Sequence, residues 1–321
     1  MMEGLYESKL KNYSGFKKLD YIYREIKRNW KNTNWWKSRF MYYIVRNYFY
    51  KIKKNKGEFV MEKDWDNLII LDACRYDTFV EVYGKPSEYI ISRGSSTREF
   101  LEQNFVGRIF RDTVYVTASP WVDLLCKNSF VKVISLWKDY WDNEIGTVFP
   151  DVVRDIALEV SEKYPDKRLI IHFIQPHHPF IKDPELNTFW KIEGRAIKPL
   201  EPIELKKDFN PFEEVKKGRL ELKKVYKAYK RNLEAVLPHA LKLAKELEGK
   251  SVISADHGEA FGEIAWPFPI RIYGHPSYVH IPALVKVPWL VINKNERKRI
   301  RVSEKDRLKL HISRIKKRLV L

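Results

Sequence analysis

Residues 251–263 have the sequence SVISADHGEAFGE, in which a short apolar run ends in three ionisable side chains. The run SVISA has the length and composition of a buried strand. Asp256, His257 and Glu259 follow it directly. A plain core strand has no use for such groups, because an ionised carboxylate is costly to bury without a partner. The stretch therefore predicts a buried strand with a metal site at its end.

Similar apolar runs alternate with helical segments along the central part of the chain. We predict strands at 67–73, 114–119, 131–137, 168–175 and 251–256, and helices at 76–83, 151–164 and 219–249. Pro238 leaves open whether the last segment is one helix or two. The alternation indicates an α/β fold with a mainly parallel central sheet and helices on both faces. Such sheets bind ligands beyond the carboxyl ends of their strands, where Asp72, His177 and Asp256 lie.

The net charge of +18 is concentrated at the two ends of the chain. Residues 1–56 contain 15 Lys/Arg and 4 Asp/Glu, and residues 293–321 contain 12 and 3. The remainder is close to neutral, so we expect no specific nucleic-acid partner for the central part. The predicted organisation is a basic, aromatic, helical N-terminal extension at 1–65, a catalytic domain at 66–292 and a basic helical C-terminal tail at 293–321.

Aromatic and basic residues are interleaved over residues 20–56, which predicts a helix. Its apolar face would consist of Trp35, Trp36, Phe40, Tyr43 and Ile44. Two interpretations remain open for this segment: an amphipathic helix packed on the core, or a peripheral contact with an anionic membrane surface. Nucleic-acid binding is a third.

The compartment is predicted from cysteine usage and hydropathy. Two cysteines, Cys74 and Cys126, argue against a disulfide framework and favour a reducing compartment. No stretch approaches the roughly 18 to 20 apolar residues of a membrane span, and the N-terminus lacks the apolar segment of a signal peptide. We therefore expect a cytoplasmic protein, or one peripheral at the inner face of the membrane.

A loop with three hydroxyl side chains, SRGSSTREFLEQNF at 92–105, runs into a predicted helix. Ser95, Ser96 and Thr97 lie near the helix N-terminus, whose free N–H groups and partial positive charge suit phosphate or sulfate oxygens. The alternative is structural, with the hydroxyls capping the helix and Glu99 as the capping-box partner.

Three histidines lie in predicted loops. His177 and His178 are bracketed by prolines in IQPHHPF, and His275 follows a glycine in YGHPSY. A single such histidine is more often structural, but carboxylates and imidazoles together favour Zn²⁺, Mn²⁺ or Fe²⁺ over Ca²⁺, which prefers oxygen ligands.

Five stretches, LDACRYD, SRGSSTREFL, HFIQPHHPF, ISADHGEAFGE and GHPSY followed by LVKVPWL, resemble the alkaline phosphatase superfamily in its sulfatase-like branch. The resemblance covers roughly residues 66–292. It implies Asp72, Asp256 and His257 as metal ligands, with a nucleophilic hydroxyl among residues 95–97 that touches the metal.

The same resemblance implies that His177 and His275 bind substrate oxygens, protonate the leaving group or complete a second metal site. Two departures limit what is carried over. The hydroxyl loop contains no cysteine, so formylglycine-dependent sulfate hydrolysis is not expected. Ala73 stands where the superfamily often has a second Asp, so an all-carboxylate Ca²⁺ cage is not expected either. Among the hydroxyls Ser96 is favoured, because it lies two residues before Arg98, where relatives usually have proline.

The predicted function is a metal-dependent phosphoester hydrolase or phosphotransferase that forms a covalent phospho-enzyme on Ser or Thr. One or two Zn or Mn ions are expected, with Arg75, His177 and His178 binding the substrate. The alternatives are a sulfuric ester hydrolase with an unmodified hydroxyl, and a non-catalytic basic protein that binds membrane or nucleic acid. The substrate is expected to be glycan- or lipid-linked, and the polar insert 183–218 is a candidate lid.

Overall fold

The computed structural model describes residues 14–183, 186, 211–293 and 296–301. The strands in these residues are β1 (Asn67–Leu71), β2 (Glu88–Ile91), β3 (Phe110–Thr117), β4 (Phe130–Ser135), β5 (Arg168–Phe173), β6 (Ser251–Ser254), β7 (Ala260–Ile264), β8 (Arg271–Gly274) and β9 (Lys286–Ile292). The α-helices are α1 (Gly15–Asn29), α2 (Thr33–Phe40), α3 (Tyr76–Tyr83), α4 (Thr97–Asn104), α5 (Trp121–Leu125), α6 (Leu136–Asp139), α7 (Pro150–Lys163), α8 (Pro211–Lys216), α9 (Leu222–Glu246) and α10 (Pro282–Val285). Two π-helical turns, Met41–Val45 and Tyr48–Lys53, follow α2.

The central sheet has seven strands in the order β2–β9–β6–β1–β5–β3–β4. Neighbouring strands from β6 to β4 are parallel, whereas β9 is antiparallel to both β6 and β2. Strands β7 and β8 form a separate antiparallel hairpin. The predicted α/β fold with a mainly parallel central sheet is confirmed.

Both faces of the central strands are covered. All five residues of β1 are buried, and successive side chains of a strand point to opposite faces, so neither face is open to solvent. Helix α9 packs beside β6 and β1, and α7 packs beside β5 and β3. Each fully buried Leu, Ile or Val of this core stabilises the fold by about 1.5–3 kcal/mol.

The segment predicted as one or two helices at 219–249 is a single helix, α9, which continues through Pro238. The predicted strand at 131–137 ends at Ser135, where α6 begins. The edge strands β2 and β9 and the hairpin β7–β8 were not predicted, because each is short or interrupted by Gly or Pro.

The N-terminal segment buries a different face from the predicted one. Four members of the predicted face are 40–47% exposed: Trp36, Phe40, Tyr43 and Ile44. Val45 and Phe49 are fully buried instead, in a second cluster that includes Ile272 and Leu284. These residues lie in the π-helical turns, which contain more residues per turn than an α-helix, so α-helical spacing does not identify the buried face.

Two predicted features lie wholly or partly outside the described residues. Most of the candidate lid falls in residues 184–185 and 187–210, and the tail beyond residue 301 is likewise not described. The three-part domain organisation stays a prediction. Among the helices in the described residues, none combines the length and the apolarity that crossing a membrane requires.

Candidate metal centre

The carboxyl ends of three neighbouring strands bring the predicted site residues to one edge of the sheet. Asp256, Asp72 and His177 follow β6, β1 and β5, which lie side by side in that order. The His177 N–H donates to the carbonyl oxygen of Asp72 at 3.1 Å. Because these strands are parallel and adjacent, groups far apart in the sequence meet here.

Two carboxylates, one imidazole and one hydroxyl form a buried cluster. His257 Nε2 lies 3.4 Å from Asp72 Oδ1 and 3.4 Å from Asp256 Oδ2. Thr97 Oγ1 lies 3.2 Å from the same nitrogen and 3.4 Å from Asp72 Oδ1. Atoms this close together can share a single bound cation.

Backbone contacts orient the two residues that follow β6. Asp256 Oδ1 accepts the N–H groups of Ala73 at 3.1 Å and of His257 at 2.9 Å. His257 Nδ1 lies 2.7 Å from the carbonyl oxygen of Gly258. Because a carbonyl can only accept, Nδ1 carries the proton and Nε2 carries the lone pair that faces the cluster. Gly258 is required, because a Cβ there would lie 2.1 Å from the Ala283 carbonyl oxygen.

A strained turn supports this geometry at the end of β1. Ala73 has a φ of 61°, a left-handed conformation that costs a non-glycine residue on the order of 1 kcal/mol. Its N–H donates to Asp256, and its carbonyl oxygen accepts the hydroxyl of Tyr229 at 2.7 Å. Ala73 therefore contributes two backbone hydrogen bonds to the site and no carboxylate.

His172, on β5, is a member of the cluster that the sequence analysis missed. Its side chain is fully buried, and its Nδ1 lies 3.0 Å from the hydroxyl of Tyr115. Its Nε2 lies 3.8 Å from Asp256 Oδ2. Together with Asp72 and Asp256, it offers ligand atoms that all lie within 4.8 Å of one another. The available signal was a histidine inside the apolar run RLIIHF.

A second group of candidate ligands, His177, Glu259 and His275, also has its ligand atoms within 4.8 Å of one another. His275 Nδ1 donates to Glu259 Oε1 at 2.9 Å. The His257 and His275 rings have centroids 4.6 Å apart, so the second group adjoins the first. Burial, reinforced by His275, lowers the pKa of His177 to about 3.

Burial and the charges of neighbouring groups shift the pKa values of the first group, which consists of Asp72, Asp256, His257 and His172. Burial, together with Asp256 and Glu259, raises the pKa of Asp72 well above its usual value. Burial also acts to raise the pKa of Asp256, but His257 and His172 outweigh it and the pKa is lowered. Burial lowers the pKa of His257 to about 4. A neutral imidazole beside carboxylates is the combination that metal coordination requires.

The three candidate hydroxyls have different partners. Ser95 Oγ donates to Glu99 Oε2 at 2.9 Å. Ser96 Oγ accepts the Glu99 N–H at 3.3 Å, as an N-cap of α4, and lies 2.6 Å from Ser277 Oγ. Thr97, the first residue of α4, is the hydroxyl beside the carboxylate cluster. The sequence favours Ser96 by its distance from Arg98, where relatives usually have proline. That distance locates the loop but does not give the direction of each side chain.

The remaining predicted substrate-binding residues are engaged within the protein. Arg75 donates to Asp77 Oδ1 at 2.8 Å, to Glu263 Oε1 at 2.5 Å and to the Glu259 carbonyl oxygen at 2.9 Å. The rings of His178 and His177 stack with centroids 4.0 Å apart. The His178 carbonyl oxygen accepts a hydrogen bond from His177 Nδ1 at 2.5 Å, which leaves His177 Nε2 with a lone pair.

The residues of the first group fit a divalent metal. Within the described residues, Asp256 Oδ2 and His172 Nε2 are buried without a hydrogen-bond partner. The ion pairs of Asp72 and Asp256 in this part of the chain involve histidines, and none involves Lys or Arg. A divalent cation would satisfy the unpaired atoms and balance the buried carboxylates. Carboxylate oxygens and imidazole nitrogens suit Zn²⁺ or Mn²⁺.

The chain matches no protein-family model and no curated protein sequence. Among solved structures, it is similar to the integral membrane lipooligosaccharide phosphoethanolamine transferase A (EptA) from Neisseria meningitidis, with 15% identity and a TM-score of 0.44 over 71% of this chain and 47% of that one. It is also similar to the C-terminal periplasmic domain of phosphoethanolamine transferase EptC from Campylobacter jejuni, with 14% identity and a TM-score of 0.42 over 71% and 78%.

A third similar structure is a protein in the alkaline phosphatase superfamily from Vibrio parahaemolyticus, with 13% identity and a TM-score of 0.34 over 81% of this chain and 70% of that one. The sequence motifs of this chain resemble the same superfamily. The chain spans about half the length of the EptA chain. With TM-scores below 0.5, the function has to be inferred from the residues of the site itself.

Proposed function

We propose that this protein is a metal-dependent enzyme that transfers or hydrolyses phosphate esters, with Thr97 as the nucleophile. The observation that carries the proposal is the position of Thr97 Oγ1, 3.2 Å from His257 Nε2 and 3.4 Å from Asp72 Oδ1. A hydroxyl placed among candidate metal ligands, on the first residue of a helix, is suited to becoming a nucleophile.

Asp72, Asp256 and His257 would hold the metal, with His172 available as a further nitrogen ligand. A divalent metal in this position supplies positive charge that lowers the pKa of a bound hydroxyl and stabilises negative charge at phosphorus. The backbone contacts to Asp256 and His257 hold these ligands in place without movement of the chain.

The nucleophile itself is held by α4. Thr97 is the first residue of this helix, and its neighbour Ser96 caps the helix through the Glu99 N–H. The partial positive charge of the helix N-terminus favours the deprotonated hydroxyl and the phosphate oxygens that approach it. Attack by Thr97 Oγ1 on phosphorus, with departure of the ester oxygen, gives a phosphothreonine intermediate that passes its phosphoryl group to water or to an acceptor hydroxyl.

His177 and His275 would serve the substrate side of the site. The Nε2 lone pair of His177 is set by the hydrogen bond of its Nδ1 to the His178 carbonyl oxygen. His275 is oriented by Glu259, at 2.9 Å. We assign these two rings to the substrate oxygens and to the proton of the leaving group, or to a second metal with Glu259. A glycan- or lipid-linked acceptor and an intracellular location stay part of this proposal.

The test compares two neighbouring hydroxyls in one loop. Metal content is measured by elemental analysis, and turnover of p-nitrophenyl phosphate, bis-p-nitrophenyl phosphate and p-nitrophenyl sulfate is measured on the same sample. We expect bound Zn or Mn, and metal-dependent turnover of a phosphate ester. Thr97→Ala should lower turnover by about 10³-fold or more, while Ser96→Ala should mainly lower stability, by about 1 kcal/mol, as the loss of an N-cap.

Turnover that survives in Thr97→Ala but is lost in Ser96→Ala would return the nucleophile to Ser96. Absence of both metal and turnover after Zn or Mn is supplied would overturn the enzymatic proposal. Faster turnover of the sulfate ester than of either phosphate ester would favour the sulfuric ester hydrolase instead.

A further inference from the structure

Helix α1 carries an exposed apolar stripe. Its members and the tryptophan that follows the helix are exposed by 92, 65, 63, 38 and 63%, in the order Phe16, Leu19, Tyr23, Ile26 and Trp30. At about 100° per residue, these five positions fall within an arc of about 80°. Of the α1 residues whose side chains the structure describes, none is buried. The stripe is therefore a coherent apolar surface rather than scattered exposed residues.

Basic side chains border this stripe. Along the same helix, Lys27 lies about 20° from the edge of the stripe, and Arg24, Lys17 and Arg28 lie about 80–120° from it, on the polar side of the helix. One acidic neighbour, Asp20, is paired with Arg24 at 2.7 Å. Over residues 14–56 the chain has 13 Lys/Arg and 2 Asp/Glu. A helix with an apolar stripe and this excess of positive charge is complementary to a partner that has an apolar interior and an anionic surface.

We propose that the apolar stripe of α1 docks on the surface of an anionic phospholipid bilayer, with the helix parallel to the membrane plane. The helix is too short and too polar to span a bilayer, but Phe, Leu and Trp on one face with Lys and Arg beside it are the features of an interfacial helix. A second copy of this chain would present the same positive charge. A nucleic acid would leave the apolar side chains without a partner.

The N-terminal segment that follows the stripe packs beside the candidate metal centre. Val45 and Phe49 are fully buried in the second cluster, which anchors residues 41–53 to the hairpin β7–β8 and to α10. Tyr50 packs against Tyr278 at a centroid distance of 5.1 Å, three residues after His275. Docking of α1 would therefore bring the site close to the membrane surface.

The hairpin tip offers a neighbouring apolar contact. Trp266 is 75% exposed at this tip. Two residues further on, Phe268 packs against Phe40 at 5.8 Å and against Tyr48 at 5.2 Å. The tip is thus held beside the same N-terminal segment, and Trp266 is expected to strengthen binding to the same bilayer.

The test is co-sedimentation of the protein with vesicles of phosphatidylcholine, with and without about 30% phosphatidylglycerol. We expect binding to the anionic vesicles, weaker binding at high salt, and little binding to neutral ones. The triple variant Leu19→Ser, Tyr23→Ser, Ile26→Ser should lower the partition constant by about tenfold or more, because it removes three of the five apolar side chains of the stripe, including its centre.

A matched control removes three exposed apolar residues elsewhere, Val106→Ser, Ile109→Ser and Leu124→Ser, which are 39, 38 and 56% exposed. It should bind vesicles as the wild type does. Lys17→Glu with Lys27→Glu and Arg28→Glu should lose binding to anionic vesicles. All variants should keep wild-type turnover of a soluble ester, which separates this proposal from the proposed catalytic function.

Three outcomes would overturn the proposal. The first is no binding of the wild type to either vesicle. The second is equal binding by the wild type and the stripe variant, which would assign binding to other basic segments. The third is self-association in sedimentation velocity that the stripe variant loses, without vesicle binding, which would assign the stripe to a second copy of the chain.

Discussion

A buried carboxylate lies at each end of strand β1, and the two differ in their hydrogen-bond partners and in the direction of their pKa shifts. Asp66 precedes the strand and is 2% exposed, and Asp72 follows it and is 6% exposed. The strand between them has only five residues, all buried. The difference between the ends therefore lies in the partners of each carboxylate and not in its depth.

Asp66 is fully supplied with donors by the protein itself. Arg297 donates to it through Nε at 2.6 Å and Nη2 at 3.1 Å, and the backbone N–H of Lys250 donates at 2.8 Å. Burial alone would raise the pKa of Asp66, but these donors outweigh it and the pKa is lowered. This end of the strand is a structural tie between the sheet and residues 297–298.

Among the described residues, no Arg or Lys pairs with Asp72. The side-chain donor that reaches it in the described residues is the Thr97 hydroxyl, at 3.4 Å, while Asp256 and Glu259 add negative charge. The pKa of Asp72 is accordingly raised. A fold that can satisfy one buried carboxylate with an arginine and leaves the other among carboxylates and histidines has left room for an external cation.

The sharpest way to break this comparison is to neutralise one carboxylate near each end of β1: Asp256, the charged neighbour of Asp72, and Asp66. Asp256→Asn should lower ester turnover by about 10³-fold or more, because it removes a candidate ligand from the metal-supported nucleophile. Asp66→Asn should leave turnover within about twofold of wild type, because its partners lie at the far end of the strand. Steady-state kinetics with p-nitrophenyl phosphate, with metal content measured alongside, decides the matter. Equal losses in both variants would mean that the two ends do not differ in function.

The same contrast predicts opposite changes in stability. In metal-free protein at pH 8, Asp72→Asn should raise the free energy of unfolding by about 1–2 kcal/mol, because a buried carboxyl with a raised pKa destabilises the fold at pH values above its unfolded pKa. Arg297→Met should lower the free energy of unfolding by about 1–2 kcal/mol, because it leaves the Asp66 carboxylate buried without its main donor, although the exposed arginine itself is screened.

Urea unfolding in the presence of a chelator measures both changes, and saturating Zn or Mn should stabilise the wild type but not Asp72→Asn. If Asp72→Asn destabilises the metal-free protein, the chain itself stabilises the Asp72 carboxylate, and the proposed role of Asp72 as a metal ligand is overturned.

The strands that carry the site could be predicted from the sequence because they are buried on both faces. Runs such as NLIIL and SVIS are continuous and apolar, and polar residues mark their ends. What could not be predicted depends on side-chain direction. His172 lies inside such a run, and only the structure relates it to the site, with its Nε2 3.8 Å from Asp256 Oδ2. Thr97 and Ser96 differ by one position, and only the start of α4 shows which hydroxyl faces the carboxylates.

The N-terminal segment shows a different limit of sequence analysis. An α-helical spacing predicts one continuous face, but two π-helical turns shift the buried side to Val45 and Phe49. The sequence pattern shows the spacing of the apolar residues. It does not show whether the segment is α- or π-helical, which depends on the cluster against which the segment packs.

The smallest expected effect concerns pH and the structural end of β1. Lys298 donates to Asn67 Oδ1 at 2.8 Å, and burial lowers its pKa to about 8. Its folded pKa lies below the unfolded value of about 10.4, so the unfolded chain binds more protons between these values. The contribution of Lys298 to the free energy of unfolding should therefore rise with pH from about 8 to about 10, by about 1 kcal/mol for a half-buried side chain.

Lys298→Met should remove this contribution, because position 298 then binds no proton in either state. The thiols of Cys74 and Cys126, whose pKa values burial raises, act in the opposite direction in both proteins, so the comparison is between the variant and the wild type at each pH. The control is Lys242→Met, at an exposed position on α9, which should keep the wild-type pH dependence. Urea unfolding at closely spaced pH values measures both variants. If the pH dependence of the free energy of unfolding is the same in Lys298→Met and in the wild type, Lys298 does not contribute to it.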